Sequence, residues 1–233
     1  MSVSSYVAIA ARGADAFSFL QGQLSNDLRR LDREVQFLAA WCNPKGRVIC
    51  LPRVGRESDG YRLALPEELA GDVTDRLLRF RFRAKVGFET VEAPPSLLDP
   101  DAGATFDLEA WRRRNLELGV PEIGAAQSEK YTPHMLNLDR LDALSLDKGC
   151  YTGQEVVART HYRGATKRRM LRFVAKSAVV PGDELMSGGQ KAGEVVNAIG
   201  PDLLAVVSLE FADVVLTIGG TPLVAAPLPY RLD

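Results

Sequence analysis

The sequence predicts mixed helices and strands followed by a small antiparallel β-barrel, and three observations carry that expectation. Apolar residues switch between strand spacing and helix spacing from Val7 to Leu77. A segment rich in proline, aspartate and small residues, EAPPSLLDPDAGA (92–104), then interrupts the pattern as a loop or linker. Beyond about Met170 the chain turns to short β-rich runs, LRFVA, GEVVNAI, LLAVVSLEF and VVLTI, parted by Pro-Gly, Gly-Gly and Gly-Pro turns. Internal repeats and low-complexity tracts are absent from the sequence.

Each element has a local reason. Val7 and Ile9 alternate with small residues before Gly13, the pattern of a strand, and Asp15 is placed to cap a helix burying Phe17, Leu20 and Leu24. Val35, Phe37, Ala39 and Trp41 recur with period two, Asn43-Pro44-Lys45-Gly46 is a turn, and residues 48–54 return as the second strand of a hairpin. Residues 61–65 form a further strand, and Pro66 opens a helix with Leu69, Val73 and Leu77 on one face. In RFRFR (79–83) the strict alternation predicts a strand that buries Phe80 and Phe82 and turns three arginines outward, as a solvated face or as a wall toward an anion. Past the break, Asp107 caps a helix with Leu108, Trp111, Asn115 and Leu118 on one side, ended by Gly119 and Pro121.

Composition narrows the function classes. With 46% hydrophobic and 25% charged residues, 233 residues can build a sizeable core. Three cysteines without a CxxC pair exclude a disulfide framework and argue against structural zinc, which points to a reducing compartment. No apolar run approaches the roughly 20 residues that span a bilayer, and MSVSSYVAIAARG lacks the pattern of a signal or a presequence. A soluble cytoplasmic protein with no membrane partner and no metal site is expected. Net charge is −1, yet residues 148–172 hold seven Lys/Arg against the single acid Glu155.

That basic stretch surrounds Cys150, in KGCYTGQE. Thr152 and Glu155 spell a capping box that would start a helix at Thr152. Cys150 then lies near the positive end of the helix dipole and beside Lys148, and both favour a thiolate. The competing reading is a buried structural cysteine, although the flanking turn is polar. Cys42 and Cys50 fall within the hairpin pattern and read as core residues. A nucleophilic hydrolase would need a histidine base, and the chain has only His134, which could approach, and His161, which the helix would carry away.

KGCYTGQE, followed by VAR and RGxxKR, resembles the signature of the YgfZ family of folate-binding proteins, relatives of the glycine-cleavage T-protein, an aminomethyltransferase. The similarity continues, in chain order, through FLQGQLSND (19–27), WCNPKGRV (41–48), LGVPEIG (118–124), TPHMLNLD (132–139) and PLPY (227–230). The resemblance implies an α+β, T-protein-like folate-binding fold around a central cavity over residues 1–168, and a C-terminal antiparallel β-barrel over 169–233. It implies tetrahydrofolate as cofactor, iron-sulfur client or assembly proteins as partners, and an indirect link to tRNA modification. The functional centre it implies is Lys148, Gly149 and Cys150, with Cys150 a redox-active thiolate assisted by Lys148, and with Lys148, Gly149, Tyr151, Gln154 and Glu155 as folate-binding residues. Two aromatic folate contacts map to Trp111 and to Tyr6, where other members carry tryptophan. A pterin wants an aromatic face and fixed polar groups, and its glutamate tail wants cations. Trp111 on a helix face reads equally as core, and the basic run as a solvated surface or as a contact for the folate tail, tRNA or a protein.

Two departures bear on activity. Longer family members carry a further segment between the regions matching Val86 and Trp111, so the middle of the fold is reduced near 92–104. True T-proteins also carry an acidic pair after a GGV stretch, where this chain has Gly46-Arg47-Val48-Ile49-Cys50-Leu51. Without a carboxylate to steer charge at the folate nitrogen, an accessory factor is expected rather than a classical enzyme. The alternative is a tetrahydrofolate-dependent aminomethyl transferase.

Overall fold

The alternating stretch that opens the chain becomes β1 (Tyr6–Arg12), and α1 (Ala16–Gln21) follows it. The computed structural model describes residues 5–102, 105–164 and 166–232. Gly103 and Ala104 of the proline-rich segment, and the side chain of Arg163 in the basic run, lie outside the described residues. Contacts divide the chain into two units, each discontinuous in sequence. One comprises Met1–Phe106, Ile123–Thr132 and Asp142–Ala158, the other Asp107–Glu122, Pro133–Leu141 and Arg159–Asp233.

In the first unit, β2 (Gln36–Leu38), β3 (Trp41–Cys42), β4 (Val48–Cys50), β5 (Arg53–Glu57) and β6 (Gly60–Pro66) precede α2 (Glu67–Phe80), β7 (Gly87–Glu92) and α3 (Pro95–Leu98). The main sheet runs in the order β2-β5-β6-β1-β7, with Ile9 opposite Leu63 on one side and Thr90 on the other. The hairpin expected around Asn43 is present but split. Its base belongs to the main sheet, and its tip forms the two-stranded β3-β4 sheet, where Trp41 faces Cys50. α2 packs on β1 and β6 through Leu69, Val73 and Leu77, which join Ile9, Leu20, Leu24, Trp41 and Leu63 in one core.

Two local expectations in this unit fail. α1 buries Ala16, Phe19 and Leu20, which share one face at i, i+3 and i+4, and so leaves Phe17 exposed, while the Asp15 carboxylate accepts a hydrogen bond from the Lys85 amide instead of capping the helix. RFRFR forms no strand. α2 runs on through Phe80, Arg81–Arg83 turn away, and Phe82 stands 87% exposed at a φ of 46°. Extending an existing helix adds one hydrogen bond per residue, whereas an isolated five-residue strand would leave its amides unpaired. Phe80 instead meets Trp41 edge-on at 6.2 Å. The proline-rich segment is likewise not all loop, since Pro95 starts one helical turn that buries Leu97 and Leu98.

In the second unit, α4 (Leu108–Glu117) is capped by Asp107, whose carboxylate accepts from the amides of Glu109 and Ala110. α4 buries Trp111 and Leu116 and leaves Leu118 exposed. α5 (Gln154–Arg163) begins in the first unit and ends in the second. The remaining strands are β8 (Arg168–Val174), β9 (Glu184–Ser187), β10 (Gln190–Ile199), β11 (Asp202–Ser208), β12 (Thr217–Ile218), β13 (Thr221–Pro222) and β14 (Val224–Ala226). They form one antiparallel sheet in the order β13-β12-β9-β10-β11-β8-β14, a nearly closed barrel around Phe173, Leu185, Val195, Leu203, Ala205 and Val207. α4 packs on β10 and β11. Among the described residues no helix is long and apolar enough to cross a membrane.

Candidate functional site

The FLQGQLSND stretch leaves α1 and winds so that three backbone carbonyls converge. The Lys148 ammonium fills that convergence, donating to the carbonyls of Gln21 (2.7 Å), Leu24 (2.6 Å) and Asn26 (3.0 Å). An ammonium has three donors, so all of them are used. Lys148 is 5% exposed, and burial draws its pKa down to about 8 against the pull of Asp27, so at neutral pH the proton stays. Asp27 is itself held well below the usual carboxylate range, first by the Arg29 guanidinium and also by the Gln21 amide.

Tyr151 is the second anchor. It is buried, with its ring centroid 5.2 Å from the Lys148 nitrogen, and its hydroxyl is buried without a hydrogen-bond partner. Between these two buried side chains, Gly149 and Cys150 are exposed. The segment is thus a ledge pinned at both ends that presents a thiol at its tip.

The capping box does not form. α5 starts at Gln154, and the Thr152 hydroxyl donates to the Gln23 side chain at 3.3 Å while the Thr152 amide reaches the Gly22 carbonyl. Gln154 takes over the local role and accepts from the Tyr151 amide at 3.2 Å. A tertiary partner has displaced the local one, which sets Cys150 further from the helix N-terminus than the sequence spacing placed it. Glu155 lies exposed in the first turn.

Glycines set how closely the pieces meet. At Gly153 φ is +83°, and a Cβ there would lie 2.6 Å from the Asn43 carbonyl oxygen and 3.1 Å from the Cys42 Cβ. The Asn43–Gly46 turn and the ledge therefore touch through bare backbone. Gly153→Ala is expected to cost at least about 2 kcal/mol in chemical denaturation, from left-handed strain and the clash together. Gly149→Ala, with nothing within 4 Å of its Cβ position, should stay within about 0.5 kcal/mol of the parent. Equal effects of the two substitutions would refute this packing.

Cys42 and Cys50 are buried, and burial pushes both thiols up, Cys42 to about 12. Cys50 and Leu51 line the core where the enzyme relatives would carry acids. Neither histidine belongs to the unit that carries Cys150. That unit brings together Lys148, Gly149, Cys150, Tyr151 and Gln154. Tyr6 starts β1 half-buried opposite Pro66. Trp111 belongs to the other unit and is 5% exposed, so little of its indole face is open. The basic run is not one surface, for Arg169 is buried on Asp139 and Arg172 pairs with Asp202 at 3.4 Å. Among the described residues no group of three or more His, Cys, Asp or Glu is arranged to hold a metal. Sequence reasoning did not single out the carbonyls of Gln21, Leu24 and Asn26 or the side chain of Gln23. A backbone carbonyl leaves no mark on residue identity, and only the FLQGQLSND motif pointed to the segment.

Comparison with known proteins places this geometry. Residues 167–229 match the family described as CAF17, C-terminal beta-barrel domain. The tRNA-modifying protein YgfZ of Enterobacter sp. (strain 638) is 27% identical over 305 residues, covering 100% of this chain and 93% of that protein. The YgfZ protein of Escherichia coli O157:H7 is 26% identical over 308 residues with the same coverage. An uncharacterized protein of Haemophilus influenzae is 28% identical over 237 residues, 87% of this chain and 85% of that one. The crystal structure of glycine cleavage system aminomethyltransferase T from Bartonella henselae superposes with a TM-score of 0.73 over 97% of this chain and 84% of that chain, at 14% identity. The fold is therefore that of an aminomethyltransferase with a C-terminal antiparallel barrel.

Proposed function

We propose that the chain is a member of the YgfZ family and a cytoplasmic, tetrahydrofolate-binding accessory factor for the assembly or repair of iron-sulfur proteins, among them tRNA-modifying enzymes. The observation that carries this reading is the ledge: an exposed Cys150 held between the buried anchors Lys148 and Tyr151. Anchoring lowers the entropy that a client would otherwise have to freeze out, and the space beside the neighbouring Gly149 is open. The thiolate gives its lone pair to a client's iron, or to a client's disulfide sulfur, where it forms a mixed disulfide and expels the second client sulfur as a thiolate. Lys148 takes no part in proton transfer in this reading, since its donors are spent on the backbone.

Tetrahydrofolate fits the residues present at one point in particular. The Tyr151 hydroxyl is a buried polar atom without a partner, and a pterin edge carries the donors and acceptors it lacks. Tyr6, in the same unit as Tyr151, is half-buried at the start of β1. Bound tetrahydrofolate supplies a reducing pterin ring; the chain supplies the thiol and the polar contact. The transferase alternative draws no support from positions 50 and 51, where Cys50 and Leu51 are buried in place of carboxylates.

The deciding experiment deletes the gene, scores the activities of several iron-sulfur enzymes, and complements with the parent gene, Cys150→Ala and Trp111→Phe. The parent protein should restore activity and bind tetrahydrofolate with quenching of tryptophan fluorescence. Cys150→Ala should bind the folate yet fail to restore activity, and Trp111→Phe, if the indole touches the pterin, should weaken binding by about 1 kcal/mol. Full rescue by Cys150→Ala, or robust aminomethyl transfer to tetrahydrofolate by the purified protein, would overturn the accessory-factor reading.

A further inference from the structure

The RFRFR stretch that closes α2 sets an open aromatic ring among cations. Phe82 is 87% exposed, and Leu78 and Phe80 just before it are exposed as well. Phe82 also holds a φ of 46°, in the left-handed region that a bulky side chain rarely enters. Exposing a large ring and straining its backbone both cost free energy, and among the described residues no aromatic or cationic side chain packs on the ring in return. Costs of this kind collect where a partner binds.

The flanking cations are available. Arg79 and Arg83 are exposed and make no ion pair or hydrogen bond among the described residues, and Arg81 reaches only the Val86 carbonyl, at 3.3 Å. The nearby carboxylates are engaged elsewhere: Asp72 and Glu129 both hold Arg76, and Asp15 holds the Lys85 amide. Asp75, four residues before Arg79 on α2, forms no ion pair with it. The C-terminal end of α2 adds only about half a negative charge against these guanidiniums. Beside them lies a groove of about 450 Å³ lined by Asp72, Arg76, Arg79, Phe80 and Phe82. That volume is within the roughly 300–1,000 Å³ of small-ligand sites, enough for one nucleotide.

The pattern selects among partners. A stable protein interface buries about 1,200–2,000 Å² around an apolar core, and a helix lying on a membrane needs a continuous apolar face. Here one ring is fully open, two apolar neighbours are partly so, and arginines interrupt them. A nucleobase needs only one aromatic face, and a guanidinium fork matches a phosphate. We propose that this surface docks single-stranded RNA, with a base stacked on Phe82 at the groove and the flanking phosphates on Arg79 and Arg83. RNA loops and ends present unstacked bases as a standing feature, which is what an open ring can take. The site uses none of the residues assigned to the thiol or to folate.

Fluorescence anisotropy of a labelled oligouridylate of about 12 nucleotides, titrated with the full chain at about 50 mM salt, tests this. Saturable binding is expected, at least about tenfold tighter than to a duplex of the same length, whose bases are already stacked. Phe82→Ala should weaken binding about tenfold and leave its salt dependence unchanged. Arg79→Gln combined with Arg83→Gln should lower the slope of log affinity against log salt by about 1.4, because each phosphate contact on a single strand contributes about 0.7. All three positions are exposed, so these changes leave the fold intact. Absence of saturable binding, tighter binding of the duplex or of the matching DNA strand, preferential binding to phosphatidylserine vesicles, an undiminished affinity in Phe82→Ala, or an unchanged salt slope in the double variant would each overturn the proposal.

Discussion

At pH 8, iodoacetamide is expected to alkylate Cys150 at least about a thousandfold faster than Cys42 or Cys50. Cys150 is exposed at the tip of the ledge, so the reagent meets the sulfur without any opening of the structure. Cys42 and Cys50 are buried in the β3-β4 hairpin, and burial pushes both thiols up, Cys42 to about 12. Two factors then multiply. The thiolate is scarce in the folded protein, and the reagent gains access only in opened molecules, whose population for core elements approaches that of global unfolding. With folding equilibrium constants of about 10³ or more, opening alone supplies the thousandfold ratio. Mass spectrometry of timed samples reads all three sites in one experiment, and urea above the unfolding midpoint should collapse the difference. Labelling of Cys42 or Cys50 at a rate close to that of Cys150 in native buffer would show that the hairpin is not closed as described.

Lys148→Met is expected to destabilise the first unit by about 2–4 kcal/mol, read as a lowered denaturant midpoint with an unchanged slope. Methionine nearly preserves the length and volume of the side chain but donates nothing, so the carbonyls of Gln21, Leu24 and Asn26 lose a shared partner inside the protein. Removing a buried charge offsets part of that cost, which is why the figure stays below three full desolvation penalties. The same variant separates two roles for the lysine. As an anchor, its loss frees the ledge and lowers stability; as a purely chemical group, its loss would leave stability within about 0.5 kcal/mol of the parent. An unchanged midpoint would therefore return Lys148 to the chemistry.

The parts legible in the sequence were those whose signal is long or covalent. α2 spans several turns of consistent apolar spacing, and Leu69, Val73 and Leu77 are buried as that spacing requires. The barrel announced itself through repeated glycine and proline turns between β-rich runs, whose geometry depends little on distant residues. Short signals failed wherever a tertiary partner competed. RFRFR alternates over only five residues and was absorbed by the end of α2, and Thr152 gave its hydroxyl to Gln23 rather than to a capping box. At the candidate site the motif KGC was visible, but the work of its lysine was not. Its partners are carbonyl oxygens, which every residue carries, contributed by a stretch far away in sequence.

That separation has a consequence during synthesis. Asn26 and Lys148 are 122 residues apart, so at roughly 5–20 residues per second the ribosome adds the lysine about 6 to 24 s after the loop it will complete. Through that interval the emerging chain can form α1 and its neighbouring strands, yet the three carbonyls must remain on water. The FLQGQLSND loop is thus among the last parts of the first unit to settle, and the act that settles it also sets the cysteine in place. A chain stalled before residue 148 lacks both the thiol and the bond set that would hold its loop, which makes premature termination products soft at this point and open to proteolytic clearance.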